Sequence, residues 1–317
     1  MNGWQPSSPC RPSCAEDRSR PKVSPGTVTL RTMRCAMILL RGSMVFTRAR
    51  FFSTVNRQRI ARRWSCLLLA ALGVRLDVRG WAPTDRGPVG VLHAANHISW
   101  IDNLALLATF PLPAVAKREV ADWPLIGRFA RGLGTIFIDR GRLRSLPGDV
   151  ARVGEVLRSG TGVLVTPEGT TWCGAGMGRF RPAMFQAAID AGATVRPVAI
   201  RYRTEDGRPT SAAAFVGPDS LIRSLRRVIA TRGLVVEVHA LPVLPARIST
   251  DRRALALLAE YSIADVITTS VPVVARHANS GRSRAIAFDV TASAPSVSRH
   301  PIPVRTRAVA TDRTVSV

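Results

Sequence analysis

Residues 89–102, Val-Gly-Val-Leu-His-Ala-Ala-Asn-His-Ile-Ser-Trp-Ile-Asp, join an apolar run to a polar corner and to the start of a helical stretch. The apolar run at 89–95 has the length and composition of a buried strand. The helical stretch covers residues 101–110 and ends before Pro111, because proline cannot continue a helix. In an open α/β sheet, sites form where strands end at their carboxyl edge. This stretch therefore predicts an α/β fold with a site at Asn96 and His97.

Apolar runs and helical stretches keep alternating after this corner. Further strands are predicted at 114–117, 135–139, 162–166, 194–203 and 234–240, and further helices at 125–133, 149–158, 182–191 and 252–266. The helix at 182–191 begins at Pro182 and stops at Gly192, the usual asymmetry of helix ends. Such alternation predicts a layered α/β domain with a mostly parallel sheet flanked by helices. We expect this domain to span residues 79–268.

The two ends of the chain differ from this alternating region. Residues 1–45 are basic with scattered Pro and Ser, and residues 269–317 are rich in Ser, Arg, Pro and Thr, so we predict disordered tails. Residues 46–78 mix arginine with apolar positions and predict helices that associate with a membrane. The apolar run at 66–74 is about half the length of a spanning helix, so we expect an interfacial helix. An ordinary buried helix is the alternative.

The chain carries 45 Lys and Arg against 21 Asp and Glu, a net charge of +24. Such a charge attracts polyanions, either nucleic acid or anionic lipid. Aromatic residues make up only 6%, and we find no nucleic-acid-binding motif, so an anionic membrane surface is favoured over specific nucleic acid. Five cysteines form no paired framework, and Cys10 and Cys14 lack the second pair that a zinc site needs. We predict no metal site.

His97 and Asp102 have the spacing of a catalytic pair. A carboxylate five residues after the histidine can turn back to accept from the imidazole Nδ1–H, which leaves Nε2 free as a base. The substrate's own hydroxyl then acts as the nucleophile. The plainer alternative is a pair that only satisfies a helix start. A serine hydrolase using Ser99 is disfavoured because no Gly-x-Ser-x-Gly elbow is present.

Three more segments place polar or special residues where predicted strands end or begin. Arg140 follows the run 135–139 and can clamp an anionic headgroup with two parallel hydrogen bonds, or pair with a carboxylate. In Pro-Glu-Gly-Thr at 167–170, Glu168 can accept from a polyol hydroxyl and Gly169 lets the backbone approach a ligand, unless this is a simple solvated turn. Pro197 can shape a channel for the acyl donor, or be an edge-strand proline.

Taken in order, four motifs resemble the lysophospholipid acyltransferase family, to which bacterial 1-acylglycerol-3-phosphate acyltransferases belong. They are Asn-His-x-Ser-x-x-Asp from Asn96, Gly-x-Ile-Phe-Ile-Asp-Arg from Gly134, Pro-Glu-Gly-Thr from Pro167 and Val-x-Pro-Val-x-Ile from Val195. The resemblance spans residues 65–240. It implies a layered α/β acyltransferase domain with membrane-engaging N-terminal helices at the cytoplasmic face of the cell membrane. The implied reaction moves an acyl group from acyl-CoA or acyl-carrier protein to a lysophospholipid, without a cofactor.

The resemblance also implies residue roles. His97 is the general base and Asp102 its orienting partner. Arg140 contacts the phosphate of the acceptor, the lipid that receives the acyl group. Asn96 helps to hold the turn. Glu168, Gly169 and Thr170 contact the acceptor's glycerol part, and Pro197 lies near the acyl donor.

One departure bears on the acceptor. The family's third motif continues to an arginine, whereas this chain has Thr171, so one phosphate-binding charge is missing. Arg179 or Arg181 can supply it. Alternatively, the acceptor carries no phosphomonoester; enzymes that acylate lyso-ornithine lipid are similar in carrying a threonine here.

Overall fold

The computed structural model describes residues 6–17, 20–47, 52–80, 88–123, 126–139, 141–245 and 251–268, and its centre is a five-stranded sheet. Across the sheet the order is β1 (Val74–Arg79), β7 (Leu234–Ala240), β6 (Val195–Thr204), β2 (Leu92–Ala95) and β5 (Val163–Val165). Only β6 and β7 pair antiparallel; the other neighbours pair parallel. The predicted α/β architecture with a mostly parallel sheet flanked by helices is thus confirmed.

A second sheet of two parallel strands extends the edge at β5. It consists of β3 (Val115–Lys117) and β4 (Ile136–Ile138). The Leu164 N–H donates to the Pro113 carbonyl at 2.9 Å, which joins this small sheet to β5. β3 therefore lies between β5, which precedes the Pro-Glu-Gly-Thr motif, and β4, which belongs to the strand predicted at 135–139.

Helices cover both faces of the central sheet. Their bounds are α1 (Pro25–Thr47), α2 (Thr54–Leu72), α3 (Ile101–Thr109), α4 (Arg118–Ala121), α5 (Ile126–Gly132), α6 (Leu146–Arg158), α7 (Ala183–Ala191), α8 (Leu221–Ala230) and α9 (Arg252–Thr268). Local signals set several of these ends. The Ser53 side chain caps α2 by accepting from the Asn56 N–H, and Gly73 and Gly192 end α2 and α7 in the left-handed conformation that glycine adopts most readily.

Two apolar cores lie on opposite faces of the sheet. One packs α2, α3 and α8 against the sheet, and the other packs α6, α7 and α9 against the opposite face. Side chains alternate along a strand, so Leu164 joins the first core while Val163 and Val165 join the second. Strands that are buried on both faces consist of continuous apolar runs, and for this reason they can be predicted from the sequence.

The predicted disorder of residues 1–45 is wrong for much of that segment, because α1 begins at Pro25 and a short 3₁₀ turn covers Pro12–Ala15. Residues 46–78 contain α2 as predicted, yet Val74–Arg79 form β1 and pair with β7. The sheet therefore begins before residue 79. The alternation Val-Arg-Leu-Asp-Val-Arg in β1 is typical of a strand. Helix α8 was not predicted, and the segment 269–317 lies outside the described residues.

Gly90 offers a test of the packing just before β2. A Cβ at this position would lie 2.1 Å from the Thr161 carbonyl oxygen, which is backbone and cannot swing aside. We expect Gly90→Ala to lower the free energy of unfolding by roughly 1–3 kcal/mol in urea titrations. Gly148→Ala in α6 is the control, because nothing lies within 4 Å of its Cβ position. Equal losses in both variants would contradict the steric explanation.

Candidate active site

The corner between β2 and α3 is held to the neighbouring strand by Asn96. Its side-chain nitrogen donates to the Ile200 carbonyl at 3.1 Å, and its side-chain oxygen accepts from the Ile200 N–H at 2.7 Å. The buried amide thus pairs with β6 as a strand backbone would, just where β2 has ended. These two bonds tie the corner to β6, and a role of Asn96 towards the substrate stays a prediction.

Asp102 is the centre of the site and is completely buried. Its Oδ2 lies 2.9 Å from His97 Nδ1 and accepts from the backbone N–H groups of Ile98 at 2.6 Å and Ser99 at 2.7 Å. Its Oδ1 accepts from the Tyr202 hydroxyl at 2.5 Å. A carboxylate surrounded by donors requires His97 to present its Nδ1–H, so in the neutral imidazole Nε2 is the acceptor nitrogen. The His97 side chain is 19% exposed, so a substrate can approach the ring.

Tyr202 is a site residue that the sequence analysis missed. It lies on β6 two residues after Ile200, so both side chains are on the same face of the sheet, the face of the first core. Burial and then the adjacent Asp102 charge raise the pKa of Tyr202 well above its ordinary value. Its hydroxyl therefore keeps its proton and remains a donor. The two-residue spacing after the Val-x-Pro-Val-x-Ile motif was the available signal.

Glu168 braces the corner from the strand on the other side. It follows β5, is 3% exposed, and accepts from the His97 N–H at 2.6 Å and the Gly178 N–H at 2.7 Å. Burial raises the pKa of Glu168 to about 8, although both backbone N–H groups favour its charged form. The carboxyl group thus positions His97 through its backbone. A direct contact between Glu168 and a substrate hydroxyl stays a prediction.

The residues after Glu168 pass beside His97. The Trp172 N–H donates to the His97 carbonyl at 2.8 Å, and the Thr171 hydroxyl donates to the Phe215 carbonyl. Gly169 has φ +72°, and a Cβ there would lie 2.7 Å from Pro6 Cγ, so the N-terminal segment covers this turn. Thr170 is half-buried next to it. The Pro-Glu-Gly-Thr motif and the His97 corner therefore form one site.

Other predicted site residues have different positions. Arg140 lies outside the described residues. Arg181 is exposed, and its Cδ is 3.8 Å from the Cβ position of Gly169, so its side chain starts beside the same turn. Pro197 is buried in β6, between β2 and β7, so the edge-strand alternative is wrong. Within the described residues, no group of three or more His, Cys, Asp or Glu is placed to hold a metal ion.

Comparisons with known proteins agree with this geometry. A family model described as Acyltransferase matches residues 79–201. The chain is 38% identical over 205 residues to a 1-acyl-sn-glycerol-3-phosphate acyltransferase of Neisseria gonorrhoeae, a match that covers 65% of this chain and 79% of that protein. It is also 38% identical over 230 residues to a lyso-ornithine lipid O-acyltransferase of Pseudomonas aeruginosa, covering 71% and 85%.

A solved structure shares the fold. The crystal structure of the 1-acyl-sn-glycerophosphate (LPA) acyltransferase PlsC from Thermotoga maritima superimposes with a TM-score of 0.58 at 18% identity. The match covers 77% of this chain and 94% of that one. At this identity, the superposition shows a common architecture.

Tyr202→Phe tests whether the fourth donor to Asp102 positions the base. Losing one buried hydrogen bond to a charged group is expected to lower kcat roughly tenfold or more, with little change in KM. The pH profile of kcat should also move, because the charge that orients His97 has lost a donor. Tyr261→Phe is the control, since Tyr261 is the other tyrosine and is 68% exposed. Similar kinetics for both variants would contradict the positioning role.

Proposed function

The chain belongs to the acyltransferase family of lipid-biosynthesis enzymes, and from that premise we propose that it acylates 1-acylglycerol-3-phosphate to give phosphatidic acid. The observation that carries the proposal is the geometry of His97, which is held by the buried Asp102 on one side and braced by Glu168 on the other. Such a base can activate a substrate hydroxyl without a nucleophile from the protein.

In the proposed reaction, His97 Nε2 takes the proton from the acceptor hydroxyl as the oxygen attacks the thioester carbonyl carbon. The new C–O bond forms, the tetrahedral intermediate collapses, and the C–S bond breaks. The departing thiolate takes the proton back from the imidazolium, which restores neutral His97. Acyl-CoA or acyl-carrier protein supplies the thioester, and neither a cofactor nor an acyl-enzyme takes part. Pro197, buried beside β2, is proposed to lie near the acyl donor.

The acceptor's phosphate is proposed to bind Arg140 together with Arg181. Thr171 occupies the position where the family has an arginine, and its hydroxyl donates to the Phe215 carbonyl. Arg181 begins beside Gly169 and is exposed, so its guanidinium can reach the space in front of the turn. Gly169 and Thr170 are then proposed to contact the glycerol part of the acceptor. Arginine suits this task because its guanidinium binds a phosphate through two parallel hydrogen bonds.

Lyso-ornithine lipid is the second candidate acceptor. The observation that favours it is Thr171 itself, a neutral residue whose hydroxyl is already used by a backbone carbonyl. The relative from Pseudomonas aeruginosa, named as a lyso-ornithine lipid acyltransferase, matches over 230 residues and supports the same alternative. An acceptor without a phosphomonoester would not need the missing arginine.

The first assay offers both acceptors side by side with a labelled acyl thioester. We expect wild type to acylate 1-acylglycerol-3-phosphate, and His97→Ala to lose roughly a hundredfold to ten-thousandfold in rate because the general base is gone. Arg181→Gln should raise KM for this acceptor and leave KM for lyso-ornithine lipid unchanged. Arg179→Gln is the matched control, since Arg179 is also exposed and nearby in sequence.

Product formed only on lyso-ornithine lipid would replace the proposed acceptor with the second candidate. If neither acceptor gave a His97-dependent product, both substrate assignments would be wrong. A KM for 1-acylglycerol-3-phosphate that rose equally in the Arg179 and Arg181 variants would remove the specific role of Arg181.

Membrane docking is proposed to use α1 rather than the segment 46–78 that the sequence suggested. Five apolar side chains at helical spacing form an exposed stripe along α1: Leu30, Met33, Met37, Leu40 and Met44, from 47% to 62% exposed. Arg34 and Arg41 are exposed on the same helix. An apolar stripe bordered by arginines is typical of helices that lie in a membrane interface. Among the described residues, no helix has the length and apolar composition needed to cross a bilayer.

Replacing part of the stripe tests this docking. We expect Met37→Gln/Leu40→Gln to weaken binding to phospholipid vesicles at least tenfold in co-sedimentation, because each apolar side chain contributes on the order of 1–3 kcal/mol when buried. Leu257→Gln/Leu258→Gln on α9 is the control, since both leucines are 42% exposed. Docking through α1 is excluded if the two double variants bind vesicles alike.

A further inference from the structure

A second polar cleft lies away from His97, at the junction of α1, β1, β7 and the residue after β6. Its volume is about 510 Å³, and its walls carry four cations, Lys22, Arg31, Arg75 and Arg232, but a single acid, Glu205. Glu205 follows the site residue Tyr202 by three residues, so at the rise of a strand the cleft lies about 10 Å further along β6. None of the residues that line the cleft belongs to the set of His97, Asp102, Tyr202 and Glu168. The cleft therefore has its own lining, distinct from that of the acyltransfer site.

Arg31 is built into the floor of this cleft. Its Nη1 donates to the Ile229 carbonyl at 2.8 Å and to the Thr231 carbonyl at 2.9 Å, the last carbonyl groups around the end of α8. Its guanidinium lies over Gly73, where a Cβ would come within 2.0 Å of the Arg31 Cζ. Gly73 has φ +75° and ends α2, so the glycine both makes the turn and leaves room for the cation.

Among the described residues, the cations of the cleft have no carboxylate as ion-pair partner, in contrast to arginines of the sheet and of α8. Arg79, Arg201 and Arg203 share Glu237, and Arg227 pairs with Asp219. Within the described residues, no ion pair joins Lys22, Arg31, Arg75 or Arg232 to a carboxylate. Four cations gathered around one concave surface outnumber its one acid, Glu205, and create a positive potential that favours an anion.

The first turn of α1 adds to that potential. Ser24 and Thr27 line the cleft, and the Thr27 N–H donates to the Ser24 hydroxyl at 3.3 Å. The N-terminal end of a helix carries a partial positive charge, and its free N–H groups favour negative ligands. Hydroxyl groups, a helix start and several cations together match a phosphate group, which needs both charge and hydrogen-bond donors.

We propose that this cleft binds the phosphate of an anionic phospholipid that belongs to the bilayer and is not the acceptor. Leu30, the neighbour of Arg31, is the first residue of the exposed stripe on α1. A lipid with its phosphate in the cleft therefore has its acyl chains at the level of that stripe. The proposal rests on membrane docking through α1, and it does not depend on which lipid is acylated.

The experiment compares two double variants of equal charge. Arg75→Gln/Arg232→Gln removes two exposed cations from the cleft. Arg223→Gln/Arg226→Gln removes two arginines from a smaller cleft of about 310 Å³, where Glu16 and Asp219 stand among the cations. Binding is measured with vesicles of phosphatidylcholine alone and of phosphatidylcholine mixed with phosphatidylglycerol, a lipid that is neither acceptor nor product in the proposed reaction.

We expect wild type to bind the anionic vesicles more tightly than the neutral ones, and Arg75→Gln/Arg232→Gln to lose about tenfold or more of that difference. The Arg223/Arg226 variant should stay within about twofold of wild type, because its arginines have nearby acids. Equal losses in both variants would mean that general surface charge causes the preference for anionic vesicles, and this would contradict a specific site in the cleft. Wild-type binding that ignores phosphatidylglycerol would overturn it as well.

Inorganic phosphate distinguishes the source of the ligand. If the lipid headgroup occupies the cleft, inorganic phosphate competes only weakly with anionic vesicles. Saturable phosphate binding that requires Arg75 and Arg232 but leaves vesicle binding unchanged would replace the lipid with a soluble phosphate. Acyl transfer is measured in parallel on detergent-dispersed acceptor. If the cleft does not bind lipid, acyl transfer stays intact in all variants. If the proposed function is wrong, wild type shows no acyl transfer either.

Discussion

The buried carboxylate of Asp102 is the constraint on which the rest of the site depends. A carboxylate withdrawn from water is costly unless donors surround it, and leaving one lone pair unsatisfied costs on the order of 1–3 kcal/mol. Here the donors come from the corner itself, from His97, and from Tyr202 on β6. They converge only if the chain turns sharply between β2 and α3 and if β6 lies beside β2. The tautomer of the neutral His97 imidazole is thus a consequence of the fold.

Two other buried polar side chains extend the same constraint to the neighbouring strands. Asn96 pairs with the backbone of β6, and Glu168 reaches from the end of β5 to the His97 N–H. The corner is therefore tied on both sides of β2. The imidazole that we propose as the general base therefore loses little freedom when substrate binds, because its orientation has already been determined during folding. The glutamate of the Pro-Glu-Gly-Thr motif thus holds the backbone of His97 in place.

The basic residues of the chain include two groups with different surroundings. Arginines of the sheet and of α8 are engaged by Glu237 and Asp219, so their charge is used within the fold. Arginines and a lysine near the start of α1 surround an open cleft, next to a helix whose apolar stripe faces outward. The first group has its ion-pair partners within the domain. The second group is the one to which we assign the proposed contact with an anionic surface.

The sequence by itself determined the features that depend on neighbouring residues. Residues 234–240 and 101–109 show their strand and helix through local periodicity, and the five-residue spacing of His97 and Asp102 indicated their pairing before any fold was known. The motif order identified the family. The tertiary structure alone decided that Tyr202 donates to Asp102 from one hundred residues away, that Glu168 turns to backbone, and that α1 presents its apolar side outward. Periodicity reveals that a helix has two faces, but which face meets solvent depends on long-range packing that no local window contains.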